Sequence, residues 1–453
     1  MAPRPPRSSG LGPSRRDFLG RAVCGAAGAS LAANLLGCTR KEPSRPPNLV
    51  LIVADDLGYE GLGSYGGVSY ETPNLDALAA GGLRFDHCFA TPLCTQSRVQ
   101  LLTGRYPFRT GWNDFIEKRP WGQRFLDPAK ERTFAHVLRD ADYATAVAGK
   151  WQMCYFATHP DHASACGFDR SYLWSFMVDG KESNRYWNPS VVVDGAPPLT
   201  VENHYGPRLY CNFLLEFMEQ HKEEPFLAYF PMTLPHGPYL PTPGSSTPDE
   251  RDRGWRWENN PANFPDMVSF LDRLVGRVAA TLDRLGIRDR TLILFCSDNG
   301  TPGDFTSRLR NGRAIRGGKG RMTEAGTRIP LIASMPGTVP AGGVCHDLVD
   351  LSDFLPTLAA FGGAPLPEGV TLDGRSFAPQ LRGEKGRPRE WVFCQAGEKR
   401  FLRGPRFKLH NDGRFYDVEA DPGEKTDLAA GGSLAPEARA ARDRLAGILA
   451  GFP

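Results

Sequence analysis

Three continuous apolar runs, each breaking off abruptly into polar residues, constrain this chain more than any other feature. Residues 48–56 read NLVLIVADD, residues 225–239 PFLAYFPMTLPHGPY and residues 291–300 TLILFCSDNG. A run that is apolar at every position suits a strand of a parallel sheet covered by helices on both faces. Helical patterns separate these runs. TPNLDALAAGG carries Thr72 at an N-cap position and Pro73 at the first helical position, and MVSFLDRLVGRVAATLDRLG repeats apolar residues at spacings of three and four. Strand and helix in alternation predict an α/β domain with a large, mainly parallel sheet sandwiched by helices. In such sheets ligands bind beyond the carboxyl ends of the strands. That rule gathers Asp55, Asp56, His236, Asp298 and Asn299 on one edge.

The two ends of the chain read differently. Arg15 and Arg16 in SRRDFLG precede a short, weakly apolar run, AVCGAAGASLAANLLGC, which is the layout of a twin-arginine export signal. The run is too short and too rich in Ala and Gly for a spanning helix. It closes on LLGC, a lipobox pattern with Cys38 as the lipidated first residue of the mature chain; the alternative is an ordinary cleavage site with Cys38 incidental. Residues 1–38 are therefore expected to be a signal with lipobox, 39–47 a Pro-rich linker and 48–388 the main α/β domain that holds the site. An exported protein of the periplasm or cell surface follows, carried by the twin-arginine machinery and held at the membrane only by a lipid anchor. From Arg389, WVFCQAG, RFLRGPRFKLH and GRFYDVEAD read as short strands before a helical APEARAARDRLAGILAG. Residues 389–453 are thus expected to form a small C-terminal antiparallel subdomain plus a final helix.

Composition narrows the partners. A net charge of +3 over 453 residues argues against a nucleic-acid partner or a polybasic membrane patch. The ten cysteines show no metal-type C-x-x-C spacing and no disulfide framework. Cys24 and Cys38 belong to the signal, and Cys296, inside an apolar run, reads as core. Cys94 stands apart, between a Pro-Leu loop and the basic, helix-like SRVQLLTGR.

Asp55 and Asp56 at one strand end, with Asp298 and Asn299 at another, supply hard oxygen ligands from two separated segments. Ca²⁺ or Mg²⁺ prefers such a set, whereas zinc recruits His or Cys. Taken singly these are ordinary turn residues; their joint placement with Cys94 favours a site. Cys94 sits where a helix begins, and Arg98, four residues on, shares its face, so an anion at position 94 is expected to be favoured. Lys150 in AGKWQ and Lys319 in RGGKGRM add two cations in Gly-containing loops. Together these residues describe a pocket for a tetrahedral oxyanion. Residues Pro238 to Pro265 have no clear period and read as an insertion near the site. With Asp179 to Thr200 they are expected to carry substrate identity, where Trp187, Trp255 and Trp257 either stack on sugar rings or pack an interface.

Eight motifs, NLVLIVADDLGY, TPNLDALAAGGLRF, CTQSRVQLLTGRYP, AGKW, GFDRSY, SDNG, RGGKGRMTEAGTRIPLIASMPG and FYDVEADPGEKTDLA, follow one another through most of the chain. In that order the sequence resembles the formylglycine-dependent, arylsulfatase-like sulfatases of the alkaline phosphatase superfamily. The resemblance implies an alkaline phosphatase-like fold and hydrolysis of an organic sulfate ester, from a sulfated polysaccharide, oligosaccharide or small ester. It implies that a formylglycine-generating enzyme oxidises Cys94 to Cα-formylglycine, whose aldehyde hydrates to a diol that attacks sulfur. A divalent cation, Ca²⁺ rather than Mg²⁺, would sit on Asp55, Asp56, Asp298, Asn299 and the group made from Cys94. Arg98, Lys150 and Lys319 would stabilise the transition state. Lys150, Lys319 and His236 would bind sulfate, with Lys319 or His236 protonating the leaving oxygen.

Two positions depart from the family pattern. Gln96 replaces the Pro of C-x-P-S-R, and Gln152 replaces the His of G-K-W-H, which assists deprotonation of the diol. Glutamine hydrogen-bonds but does not titrate near neutral pH. Either turnover proceeds at a modified site, with His159 or His162 supplying the missing base, or Cys94 stays a thiol in an inactive, glycan-binding relative. No spacing argument brings those histidines to the diol, and a surface loop is their expected setting. A phosphodiester or phosphonate hydrolase of the same superfamily is the third alternative.

Overall fold

A computed structural model describes residues 45–114, 124–245 and 259–453. The export signal, the lipobox, most of the linker and both Trp255 and Trp257 lie outside the described residues.

The apolar runs become strands as their composition demands. Ten strands form the main sheet: β1 (Asn48–Ala54), β2 (Leu83–Phe89), β3 (Ala144–Lys150), β4 (Arg170–Trp174), β5 (Ser190–Val193), β6 (Leu199–Thr200), β7 (Phe226–Pro231), β8 (Thr291–Ser297), β9 (Arg328–Ser334) and β10 (Gly343–Asp350). Their spatial order is β10-β2-β9-β8-β1-β7-β3-β4-β5-β6. The five central strands, β8-β1-β7-β3-β4, are parallel. β9 runs antiparallel to both of its neighbours, and β5 and β6 are antiparallel additions at the other margin.

Alternate residues of each run face opposite layers, which is why the runs lack polar alternation. Leu49, Leu51 and Val53 join Leu227, Tyr229, Leu292 and Leu294 in one core. Val50 and Ile52 join Ala228, Phe230, Ile293 and Phe295 in the other. Helices α1 (Pro73–Ala80), α2 (Cys94–Thr103), α3 (Gly206–Gln220), α4 (Phe264–Arg284) and α5 (Phe354–Gly362) cover both faces. α2 and α5 pack on the first core, and α1, α3 and α4 on the second. α4 alone buries Val268, Leu271, Leu274, Val275 and Val278, each worth about 1.5–3 kcal/mol of burial. Thr72 and Pro73 open α1 as expected, although the Thr72 hydroxyl accepts from Gly63 N–H instead of capping the helix.

The C-terminal strand signals also become strands. β11 (Val392–Ala396), β12 (Lys399–Arg403), β13 (Phe407–His410) and β14 (Phe415–Asp417) form an antiparallel meander, followed by α6 (Pro436–Leu449). Phe393, Leu402, Phe407, Leu409 and Leu445 pack around Tyr106, which follows α2. Residues Arg45–Pro453 form one unit that includes this small sheet.

Candidate active site

The carboxyl ends of β1, β3, β7 and β8 converge. Backbone bonds lock the connections: Asp55 N–H donates to the Leu234 carbonyl at 2.8 Å, and Asp298 N–H to the Ala54 carbonyl at 3.1 Å. Asp56 adopts φ 73°, a left-handed turn that Asp tolerates better than most residues, and so turns its carboxylate toward β8. Gly149, at φ 126°, lets β3 approach β7, because a Cβ there would lie 2.0 Å from the Pro231 carbonyl oxygen.

Three acids meet three cations on this edge. Lys150 Nζ bridges both oxygens of Asp55 at 2.9 and 2.8 Å. Arg98 Nε and Nη2 both bond Asp298 Oδ2, at 3.0 and 2.7 Å, and Nη2 lies 3.7 Å from Asp55. Lys319 Nζ reaches Asp56 Oδ2 at 2.5 Å, and His236 Nε2 lies 3.6 Å from the same oxygen. Asn299 Nδ2 donates to Asp56 Oδ1 at 2.7 Å. Cys94 is the first residue of α2, buried, with Sγ 3.6 Å from Gln152 Oε1.

The electrostatics follow from burial and neighbours. Burial pushes the Asp55 and Asp56 carboxyls up, but Lys150 and Arg98 at the first and Lys319 at the second more than offset it and hold both below the usual range. Burial pushes Asp298 up to about 7, with Asp55 and Asp56 adding to the rise and Arg98 opposing it. Such crowding of acids is what a divalent cation relieves. Burial also lowers His236 to about 3, so its imidazole is neutral. The sequence led us to expect a favoured anion at position 94. The thiol behaves otherwise: burial raises the Cys94 pKa, and Lys150 and Lys319 only partly counter it.

The donor set fits a hard cation. Asp55, Asp56 and His236 offer ligand atoms within 4.8 Å of one another, as do Asp55, Cys94 and Asp298. Asn299 Oδ1 is buried without a hydrogen-bond partner, an orphan acceptor of the kind a Ca²⁺ or Mg²⁺ ion satisfies.

Comparison with known proteins agrees with this geometry. The Sulfatase family model matches residues 47–364. Human Arylsulfatase A is 36% identical over 412 residues, covering 84% of this chain and 78% of the human protein. A solved structure concerned with metabolism of multiple glycosaminoglycans by Bacteroides thetaiotaomicron superposes with a TM-score of 0.73 at 26% identity. It spans 90% of this chain and 99% of its own. Ps i-CgsB in complex with k-i-k-neocarrahexaose superposes with a TM-score of 0.71 at 26% identity, over 85% of this chain and 89% of its own. The chain belongs to the sulfatase family.

All the residues singled out in the sequence for this sulfatase site, Asp55, Asp56, Cys94, Arg98, Lys150, His236, Lys319, Asp298 and Asn299, lie on this one edge. Lys150 departs from its expected loop setting. It is the last residue of β3 and fully buried, so its ammonium is fixed by the sheet. Gln152 follows in a left-handed turn, φ 56°, facing Cys94. Neither candidate histidine joins them. His162, expected on a surface loop, is buried: its Nδ1 accepts from Trp151 Nε1 at 2.9 Å and its Nε2 lies 2.8 Å from the Leu126 carbonyl. His159 stacks on Phe125 at 4.1 Å.

Sequence reasoning missed Arg185. Its Nη1 lies 2.9 Å from His236 Nδ1, its Nη2 pairs with Glu182 at 2.6 Å, and its guanidinium lies over Trp174. It sits in the segment expected to carry substrate identity, but nothing in that irregular stretch signals which arginine turns inward. Trp187 in the same segment packs on Tyr205 and donates to the Pro241 carbonyl at 2.9 Å.

Proposed function

We propose that this sulfatase hydrolyses sulfate esters of carbohydrates, using a formylglycine made from Cys94 and a divalent cation held by Asp55, Asp56, Asp298 and Asn299. The observation that carries the proposal is the position of Cys94, at the start of α2 amid three buried acids and three buried or half-buried cations. The cation would supply charge neutralisation for sulfate oxygens, and the formylglycine the oxygen nucleophile that a thiol lacks.

The chain's own residues supply the rest. Arg98 holds Asp298 from two nitrogens and keeps that carboxylate aimed at the ligand cluster. Lys150 and Arg98 have fully buried side chains, so they act as fixed charges already oriented before substrate arrives. Lys319 and His236 differ, with side chains 20% and 25% exposed. The Lys319 ammonium stands at the mouth, where a leaving alcohol oxygen takes its proton, while the neutral His236 imidazole hydrogen-bonds a sulfate oxygen. Gln152 donates or accepts a hydrogen bond at position 94 but moves no proton.

The same proposal includes export by the twin-arginine route and lipid attachment at Cys38, supported by the sequence of residues 14–38. Cys38→Ser is expected to move the protein from the membrane fraction to the soluble one. The test of the reaction is sulfate release from sulfated oligosaccharides and from 4-nitrophenyl sulfate, alongside a phosphate diester. Sulfate release that disappears in Cys94→Ala and under chelation is expected. Faster turnover of the diester than of every sulfate ester would replace the proposal with a phosphodiesterase.

A further inference from the structure

Beside the catalytic edge lies a second cavity, of about 460 Å³, between the start of α2, the loop after Lys319 and the C-terminal sheet. Its lining adjoins the catalytic residues along the chain: Leu93 precedes Cys94 and Gly320 follows Lys319. Gln96 lines it, 1% exposed, and neither its Nε2 nor its Oε1 has a hydrogen-bond partner. A buried amide with both ends unpaired has no contact fixing its orientation, and it gains its bonds only when something polar arrives.

The charges around the cavity are unequal in availability. Asp114 is taken by Arg124, Glu424 by Lys408 at 2.9 Å, and Arg414 by Asp412 at 2.8 Å. Arg321 and Lys399, both exposed at the rim, pair with no carboxylate among the described residues. Two free cations over a floor of uncommitted amide select an anion. The cavity lined by Arg185 offers no such selection. That space, about 390 Å³ and reached past Arg185, has its one arginine already paired with Glu182.

We propose that the Gln96 cavity is a subsite for an anionic substituent, a carboxylate or a second sulfate, on the part of the substrate that leaves as the alcohol. Gln96, Arg321 and Lys399 are its specificity-determining residues. The inference rests on the sulfate-ester reading of the catalytic edge, and makes this sulfatase selective for polyanionic glycans over neutral monosulfated ones.

The test compares the wild-type protein with Arg321→Ala/Lys399→Ala and with Gln96→Leu, after mass spectrometry has shown equal modification at position 94. Substrates are a monosulfated disaccharide carrying a uronate, the same disaccharide with its carboxyl reduced, a disulfated neutral disaccharide, and 4-nitrophenyl sulfate. Calorimetric binding of the disaccharides is measured in parallel. The double variant is expected to raise KM and Kd about tenfold for one or both anionic disaccharides, with kcat, the reduced disaccharide and 4-nitrophenyl sulfate unchanged. A rise for the uronate alone assigns a carboxylate, and a rise for the disulfated sugar alone assigns a second sulfate. Gln96→Leu is expected to raise KM for the same ligand by a smaller factor. Equal KM and Kd changes for anionic and reduced disaccharides would overturn the subsite. Absence of turnover on every sulfate ester, with binding still lost in the double variant, would overturn the hydrolytic reading and leave the subsite standing.

Discussion

Two buried ionic clusters in this molecule use the same ingredients to opposite ends. At the junction of the main sheet with the C-terminal meander, Arg389 donates to Asp353 Oδ2 at 2.7 Å, to Ser352 Oγ at 3.0 Å, to the Asp373 carbonyl at 2.8 Å and to Tyr106 Oη at 3.1 Å. Asp350 in turn accepts from Tyr106, Gln100 and Ser352. Arg389 and the two aspartates are saturated from within the chain. The catalytic cluster at the ends of β1, β3 and β8 leaves Asn299 Oδ1 unpaired, crowds three acids together and holds a cysteine at its centre. Saturation marks a structural joint. Unfilled valence at the carboxyl ends of parallel strands marks a site.

The largest effects should separate the two clusters outright. Cys94→Ala is expected to lower sulfate release by at least about 10³-fold, with the unfolding midpoint little changed, as for removal of a nucleophile. Arg389→Ala should do the reverse. It leaves Asp350 and Asp353 buried without their cation, at about 3–5 kcal/mol of stability, while turnover per folded molecule persists. Chemical denaturation with parallel activity assays reads both, and a stable Arg389→Ala protein would break the comparison.

A third buried pair offers a pH test. Burial lowers His162 to about 4, and its Nδ1 must stay unprotonated to accept from Trp151. The unfolded chain binds that proton from about pH 6.5 downward, whereas the folded protein resists until about pH 4. The stability is therefore complete above pH 6.5 and is lost as pH falls toward 4, up to about 3 kcal/mol. Unfolding midpoints measured across that interval should show a fall that His162→Gln removes.

Metal removal is expected to act on the catalytic cluster. A chelator should lower the unfolding midpoint and Ca²⁺ restore it, by about 2.7 kcal/mol at a hundredfold excess over Kd. Asn299→Ala should shrink that restoration. The smallest effect expected is for Gln152→His, a several-fold gain in kcat at unchanged KM, measured by sulfate release near neutral pH. A drop in kcat would show that glutamine at this position is part of how this branch works.

Much of this was legible before any coordinates. The uninterrupted apolar runs at 48–54 and 291–297 announce strands covered on both faces, and their polar terminations place Asp55, Asp56, Asp298 and Asn299 at the sheet's edge. The helix start at Pro73 and the C-terminal strands hold because proline's fixed φ and turn chemistry act over a few residues, whereas the Thr72 hydroxyl serves Gly63 and not the helix. What stayed hidden depends on tertiary burial. His162 sits in a polar-looking loop sequence, yet Trp151 and Leu126 close over it. The Cys94 thiol rises in pKa because burial outweighs two lysines, a balance that spacing does not reveal. Gln96 reads as a departure from a motif, and only the cavity beside it shows an amide without partners.

The account turns on the chemical state of residue 94. Peptide mass spectrometry on protein from its native host, following the tryptic peptide Phe85–Arg98, reads that state directly. The account predicts a peptide lighter by the conversion of CH2–SH to CHO, with its hydrate alongside. An intact, alkylatable Cys94 in every molecule would contradict it.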